Sequence, residues 1–240
     1  MKSPFRAVRQ KLFAEGKLVR YLGYALGEVM LIIVGILFAL KINDWNADRK
    51  AQAEFDEYIV QLKEDVATAI ENVDTSIRLM EGFLERSKYV LAFLKASEHD
   101  AEDLVAFKSG LTSLSGYNRP QVYVGLLGRL LDGDMEIIAR DPVLARHALE
   151  MESRVESRLS NQENVSGQID IASGAFNKFR GRGSASEGFD SEYDLKLLRS
   201  SPEFRYTVLT VISRKSNMKD FSVQIAASLK SFQAVLAAYE

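Results

Sequence analysis

The chain has 240 residues, with 31 basic and 33 acidic side chains, two histidines and no cysteine. The absence of cysteine excludes disulfides, thiolate nucleophiles and the commonest structural zinc sites. Beyond residue 42 there are 24 basic and 31 acidic residues, a formal charge of −7. This part is a poor candidate for binding nucleic acid, because phosphate binding needs a basic surface.

The first 20 residues are basic, with one acidic residue against the six basic residues Lys2, Arg6, Arg9, Lys11, Lys17 and Arg20. The positive-inside rule predicts that this end stays in the cytoplasm and that the rest of the chain is exported. Helically spaced apolar residues also predict an amphipathic helix on an anionic leaflet, from Phe5, Val8, Leu12 and Phe13. A merely basic flank is the alternative.

A transmembrane helix is predicted at residues 21–42. The strictly apolar run, residues 29–40, covers only about 18 Å of a hydrocarbon layer about 30 Å thick. Extending it back to Tyr21 gives the needed length and places Glu28 inside the bilayer. Tyr21 and Tyr24 at one end and Trp45 at the other lie where interfacial aromatic residues are expected.

A cleaved signal peptide is the alternative interpretation of this apolar run. Its charged region would then be 28 residues, which is too long for a signal peptide, and residues 37–39 lack the small-x-small cleavage pattern. The sequence therefore favours a retained membrane anchor.

Glu28 is the costliest residue of the predicted span, because a carboxyl group inside a bilayer normally needs a partner or a water-filled cavity. At 100° per residue, Tyr21, Tyr24, Gly35 and Ala39 all fall within about 40° of it. This polar and small face predicts a helix–helix interface, in an oligomer or against another membrane protein. Snorkelling of Glu28 to the cytoplasmic headgroups is the alternative.

From residue 45 to residue 95 one long helix is predicted, continuous with the span, because residues 36–81 contain neither Gly nor Pro. Its coiled-coil-like apolar stripe steps by threes and fours, with Ser87 as the one lapse. The stripe consists of Phe55, Ile59, Leu62, Val66, Ile70, Val73, Ile77, Met80, Leu84, Leu91 and Leu94.

Further helices are predicted at residues 101–115, 121–139, 142–179 and 202–239. Pro120, Pro142 and Pro202 lie near their starts, where proline costs least. Residues 181–188 are rich in Gly and Ser and predict a loop. The expected fold class is all-α, with residues 43–240 forming an antiparallel helical bundle outside the membrane.

No catalytic, metal or cofactor site is predicted. Residues 132–136 are acidic, but the sixth and twelfth positions of a calcium loop would be Ile137 and Val143 instead of Gly and Glu. His147-x-x-Glu150 reverses the order found in di-iron bundles. No nucleophile elbow or phosphate-binding loop occurs. Arg180 and Arg182 suggest either an anion site or a solvated loop.

The chain resembles an uncharacterised family of bacterial single-pass membrane proteins over residues 20–50. The resemblance rests on Gly27-Glu28, residues 34–37, Ala39-Leu40, Ile42-Asn43 and Trp45-Asn46. Lys41 and Asp44 stand where the family pattern has Gln and Asn. The resemblance implies a membrane anchor with a helical exterior domain and implies no activity.

These features predict a non-enzymatic protein of the bacterial inner membrane, with a cytoplasmic N-terminus and a periplasmic helical domain. We expect it to act as an interaction, scaffold or accessory subunit, in a homo-oligomer or a larger membrane complex. The alternative is a ligand-sensing input domain that signals through a partner protein.

Overall fold

The computed structural model describes residues 17–96, 100–179 and 195–239. Within these ranges it contains no strand and six α-helices: α1 Lys17–Lys95, α2 Ala101–Ser115, α3 Gly125–Leu131, α4 Pro142–Gly174, α5 Leu195–Ser200 and α6 Pro202–Leu236. Two short 3-10 helices cover Ile138–Arg140 and Ala175–Phe179. The predicted all-α fold class is confirmed. The predicted loop at 181–188 lies outside the described residues.

The chain divides into two compact units, Met1–Asp56 and Glu57–Glu240. Helix α1 runs without a break from Lys17 to Lys95 and belongs to both, so the predicted continuity of the apolar segment with a long helix is confirmed. In the first unit the side chains of α1 from Arg20 to Lys50 are exposed. The second unit contains the other helices and the hydrophobic core.

The apolar stripe of α1 lies in the core of the second unit. Eight of the eleven predicted stripe residues are buried, whereas Phe55, Ile77 and Leu91 are partly exposed. The helix also buries Tyr58, Val90 and Phe93, so the buried face is wider than the predicted stripe. Such a face provides most of a helix's stability in water.

Helix α6 packs antiparallel to both α1 and α4. Asp74 of α1 pairs with Lys230 of α6, and Ser87, later in α1, bonds to Lys215, earlier in α6. The two helices therefore run in opposite directions. Along α4, Gln162 bonds to Met218 and Ser222. Helices α1 and α2 form an antiparallel hairpin, in which Tyr89 bonds to Asp103 and Arg86 bonds to Ser113. The second unit is therefore an antiparallel bundle.

Several helix ends follow the sequence signals. Helix α2 has the predicted bounds and begins with a capping box in which Asp100 and Asp103 each bond the other's backbone amide. Pro142 and Pro202 lie in the first turns of α4 and α6, after the capping residues Asp141 and Ser201. Helices α4 and α6 end earlier than predicted, at Gly174 and Leu236.

The helix predicted at residues 121–139 is wrong for most of its length. Residues 116–124 have no regular structure, α3 covers only Gly125–Leu131, and turns separate it from the 3-10 helix Ile138–Arg140. Gly125 and Gly133 have φ angles of +45° and +87°, which interrupt a helix. Pro120 therefore lies five residues before the helix that it was expected to begin.

The first turn of α3 is held by a buried carboxylate from α1. Asp65 Oδ2 accepts a hydrogen bond from the amide of Leu126 at 2.6 Å, and Gln61 donates to Oδ1 at 3.2 Å. A Cβ on Gly125 would lie 2.4 Å from Asp65 Oδ2, so only glycine allows this approach. Asp65 thus provides the N-terminal cap that the local sequence of α3 lacks.

We expect Asp65→Ala to lower the free energy of unfolding by about 1–3 kcal/mol, because it leaves the partly buried backbone amide of Leu126 without an acceptor. Asp65→Asn keeps an acceptor and should cost less. Asp74→Ala is the matched control, since Asp74 lies on the same helix in a solvated ion pair with Lys230 at 3.2 Å. Urea denaturation in detergent measures all three, and equal losses for Asp65→Ala and Asp74→Ala would contradict the capping role.

Candidate functional site

The apolar segment of α1 has a surface that the rest of the described chain does not cover. An 18-residue apolar window within the helix has none of its residues buried. A core helix of a soluble protein would be mostly buried, so that alternative does not fit this helix. The segment is a candidate membrane span by its length and composition.

The five residues of the predicted helix–helix interface lie on uninterrupted α-helix. Tyr21 and Tyr24 are 79% and 76% exposed, and Glu28, Gly35 and Ala39 are exposed beside them. Among the described residues, no atom lies within 4 Å of the position that a Cβ on Gly35 would take. Helical geometry therefore places all five on one face, which is free for a partner outside the described chain.

The predicted membrane-surface residues are described only in part. Lys2, Arg6, Arg9 and Lys11 lie outside the described residues, as does the predicted amphipathic helix, and Lys17 is described only by its backbone. Arg20 is exposed at the start of the apolar segment. Trp45, 63% exposed, follows the segment, and the guanidinium of Arg49 lies 5.9 Å from its ring centroid. An aromatic ring beside a cation is typical of a membrane interface.

The weak metal candidates have partners within the protein. Asp134 accepts a hydrogen bond from Arg129 at 3.0 Å, and the guanidinium lowers the pKa of that carboxyl group. Glu150 pairs with Arg154 at 3.9 Å. No group of three or more His, Asp or Glu side chains within the described ranges is arranged to hold a metal ion. Arg180 and Arg182 lie outside those ranges.

A buried lysine is the main polar feature that the sequence prediction missed. Lys215 has no exposed surface, and its Nζ donates to Ser87 Oγ at 3.2 Å and to the Ser113 carbonyl. It occupies an apolar-stripe position of α6, between Val211 and Met218, and Ser87 is the lapse in the stripe of α1. These two polar residues at apolar positions were the available signal.

The surroundings of Lys215 favour its neutral form. Its hydrogen-bond partners in the described chain are uncharged, so no carboxylate stabilises the ammonium form. Burial, with a smaller effect from the positive charge of Arg86, lowers the pKa of Lys215 to about 7. The amine is buried in the core and out of reach of a substrate, so its role is in the stability of the fold.

An open cleft of about 520 Å³ lies on the surface of the second unit. One wall is the segment of residues 119–123, which has no regular secondary structure, and the other is the part of α4 between Glu156 and Glu163. Tyr123 donates a hydrogen bond to Glu156, and Arg119 donates one to Ser166 Oγ. The cleft has the size of a small-molecule site. The sequence prediction missed it, because residues 121–139 were expected to be helical.

No known protein family, curated protein or solved structure matches the chain. The resemblance of residues 20–50 to the bacterial membrane family therefore stays a prediction.

Replacing Lys215 should change how stability depends on pH. The pKa of this amine is about 7 when folded and about 10.5 when unfolded, so between these values the unfolded chain binds more protons. Raising the pH through this window therefore stabilises the wild-type fold, by at most about 1.4 kcal/mol per pH unit, whereas below pH 7 both states are protonated. Lys215→Met removes this dependence.

We expect the stability of Lys215→Met relative to wild type to be greatest at about pH 6 and to decline towards about pH 10. Denaturant unfolding at a series of pH values measures it. Lys230→Met, which removes an exposed lysine of the same helix, is the control and should give a constant difference. A constant difference for Lys215→Met as well would show that the amine is charged in the fold.

Proposed function

We propose that the chain is a single-pass protein of the bacterial inner membrane with a cytoplasmic N-terminus and a periplasmic helical domain. The domain acts as a non-enzymatic interaction, scaffold or accessory module, in a homo-oligomer or a larger membrane complex. The observation that carries this proposal is the apolar segment of α1, none of whose window residues is buried. A lipid bilayer is the partner that such a surface requires.

The Glu28 face supports association within the membrane. A Cβ added to Gly35 would have no atom of the described chain within 4 Å apart from its own helical turn, so packing within one molecule does not explain this glycine. Small residues allow close approach of a second membrane helix, and a carboxyl group in hydrocarbon gains from a hydrogen-bond partner. A partner helix accounts for both features on the face of Glu28 and Gly35.

A ligand-sensing input domain is the second proposal, and the cleft between residues 119–123 and α4 favours it. A sensor of this form would pass its signal to a partner protein through α1.

The topology can be tested with reporters fused after Glu240. We expect a periplasm-dependent reporter to be active and a cytoplasm-dependent one to be inactive, because the basic residues before residue 21 hold the N-terminus inside. A reporter placed before Met1, with the whole chain retained, serves as the reciprocal control. Activity of the C-terminal fusion only in the cytoplasm would overturn the orientation.

The role of Glu28 can be tested with two substitutions. Glu28→Gln keeps the size and the hydrogen-bonding groups, whereas Glu28→Leu removes both the charge and the hydrogen bonds. We expect Glu28→Leu to weaken association more than Glu28→Gln, by about 0.6–2 kcal/mol, because hydrogen bonds between membrane helices have that strength. Cross-linking in native membranes measures the associated fraction.

Leu31→Ala is the control for a general perturbation of the apolar helix. If Glu28→Leu associates as well as wild type and inserts more efficiently, the carboxylate only snorkels to the headgroups, and the proposed interface loses its main support.

A further inference from the structure

The cleft between residues 119–123 and α4 is bounded by two pairs of polar side chains. Tyr123 and Glu156 form one pair, and Arg119 and Ser166 form the other. Ten residues of α4 separate Glu156 from Ser166, a distance of about 15 Å along the helix axis. The two pairs therefore lie at opposite ends of an elongated cleft.

The two ends differ in charge. The Glu156 carboxylate at one end accepts a hydrogen bond from Tyr123, whose pKa is raised to about 12 by that bond, so the phenol remains a donor at neutral pH. The guanidinium of Arg119 lies at the other end and has five N–H donors, of which Ser166 takes one. Glu163 lies exposed on the rim between the two ends.

Between these ends, Gln162 contributes to the lining of the cleft. Its Nε2 donates to the Met218 carbonyl at 3.1 Å and to Ser222 Oγ at 2.8 Å, which fixes the orientation of the amide. Its Oε1 is buried and accepts no hydrogen bond from any described residue. A buried carbonyl without a donor costs about 1–3 kcal/mol, so a donor delivered through the cleft would be favourable. The side chain is fully buried, so the residues covering it must separate slightly.

We propose that this cleft binds a short zwitterionic peptide, with its ammonium group at Glu156, its carboxylate at Arg119 and a backbone N–H directed to Gln162 Oε1. An extended tripeptide is about 10 Å long, which fits between the two ends. Leu159, which is partly exposed, lines the cleft with apolar surface for the peptide's side chains. This inference is independent of the membrane anchor proposed above.

Calorimetric titration of the full-length protein in uncharged detergent at neutral pH tests the proposal, with empty micelles as the baseline. Trialanine is the probe, and three analogues each remove one recognised group: the N-acetylated form, the C-terminal amide and an ester analogue without backbone N–H. We expect saturable binding of trialanine and a loss of about tenfold for each analogue, the effect of one charge-assisted or buried hydrogen bond.

Glu156→Gln should weaken the binding of trialanine and abolish the difference between its free and N-acetylated forms, because acetylation and the substitution remove the same interaction. Arg119→Gln should abolish the difference between trialanine and its amide in the same way. Glu150→Gln, an equal change of charge on the same helix outside the cleft, should leave all affinities unchanged.

The ester analogue tests the role of Gln162 without altering the protein, which matters because Gln162 also holds α6. The proposal fails if trialanine does not bind saturably, or if the three analogues bind as tightly as trialanine. It also fails if Glu150→Gln weakens binding as much as Glu156→Gln, which would show a non-specific charge effect. None of these results bears on the reporter fusions or on the cross-linking of Glu28.

Discussion

The uncovered apolar surface of α1 is the constraint on which the organisation of this protein depends. An apolar helix in water loses about 25 cal/mol for each Å² that it leaves exposed, and the 18-residue apolar window of α1 has none of its residues buried. The helix already satisfies its backbone N–H and C=O groups internally, so it is suited to hydrocarbon. Once the segment lies in a bilayer, a glycine or an apolar residue there costs little, whereas the carboxyl group of Glu28 becomes expensive. A glutamate on the water-facing side of α1 in the bundle would carry no such cost, so the cost comes from the position of Glu28 within the apolar segment.

In the bundle, by contrast, the costly residues are polar side chains that are buried among apolar ones. Lys215 lies in the stripe by which α6 packs on α1, and its amine meets the Ser113 carbonyl near the C-terminus of α2. The partial negative charge of a helix C-terminus favours a cation there, which offsets part of the cost of burying the amine. Ser87 and Arg86 add further polar contacts at the same level. Three helices therefore meet at one polar layer, and sliding α6 by one turn would leave the amine of Lys215 without its hydrogen-bond partners. This arrangement supports a role in fixing the helix register.

The sequence predicted correctly the helices that are determined by neighbouring residues. The prediction was wrong where contacts with distant residues determine the structure. The stripe of α1, the bounds of α2 and the starts of α4 and α6 at Pro142 and Pro202 depend on periodicity and on capping, which neighbouring residues set. The segment 121–139 was predicted as one helix that begins just after Pro120. In the structure its short helix is capped by Asp65, about 60 residues away, and two glycines with positive φ interrupt it. The cleft was missed for the same reason, because one of its walls, residues 119–123, has no regular secondary structure. The Glu28 face was predictable because it needs nothing beyond helical geometry.

Glu28 and Gln162 have one physical property in common, although they lie in different units of the chain. Natural proteins pair nearly all polar groups that are removed from water, so a polar group that the chain itself does not satisfy directs attention to a partner. The Gln162 oxygen is such a group in the structure, and the Glu28 carboxyl becomes one when its helix enters a bilayer. The required partners differ in kind. Glu28 needs a hydrogen-bonding group on another membrane helix, and that helix must also accept the small residue Gly35 on the same face. Gln162 needs a donor small enough to enter a narrow cleft between an arginine and a glutamate. Glu28 thus supports a partner within the membrane, and Gln162 independently supports a ligand outside it. A sensor that passes a signal from a ligand to a partner would need both binding sites.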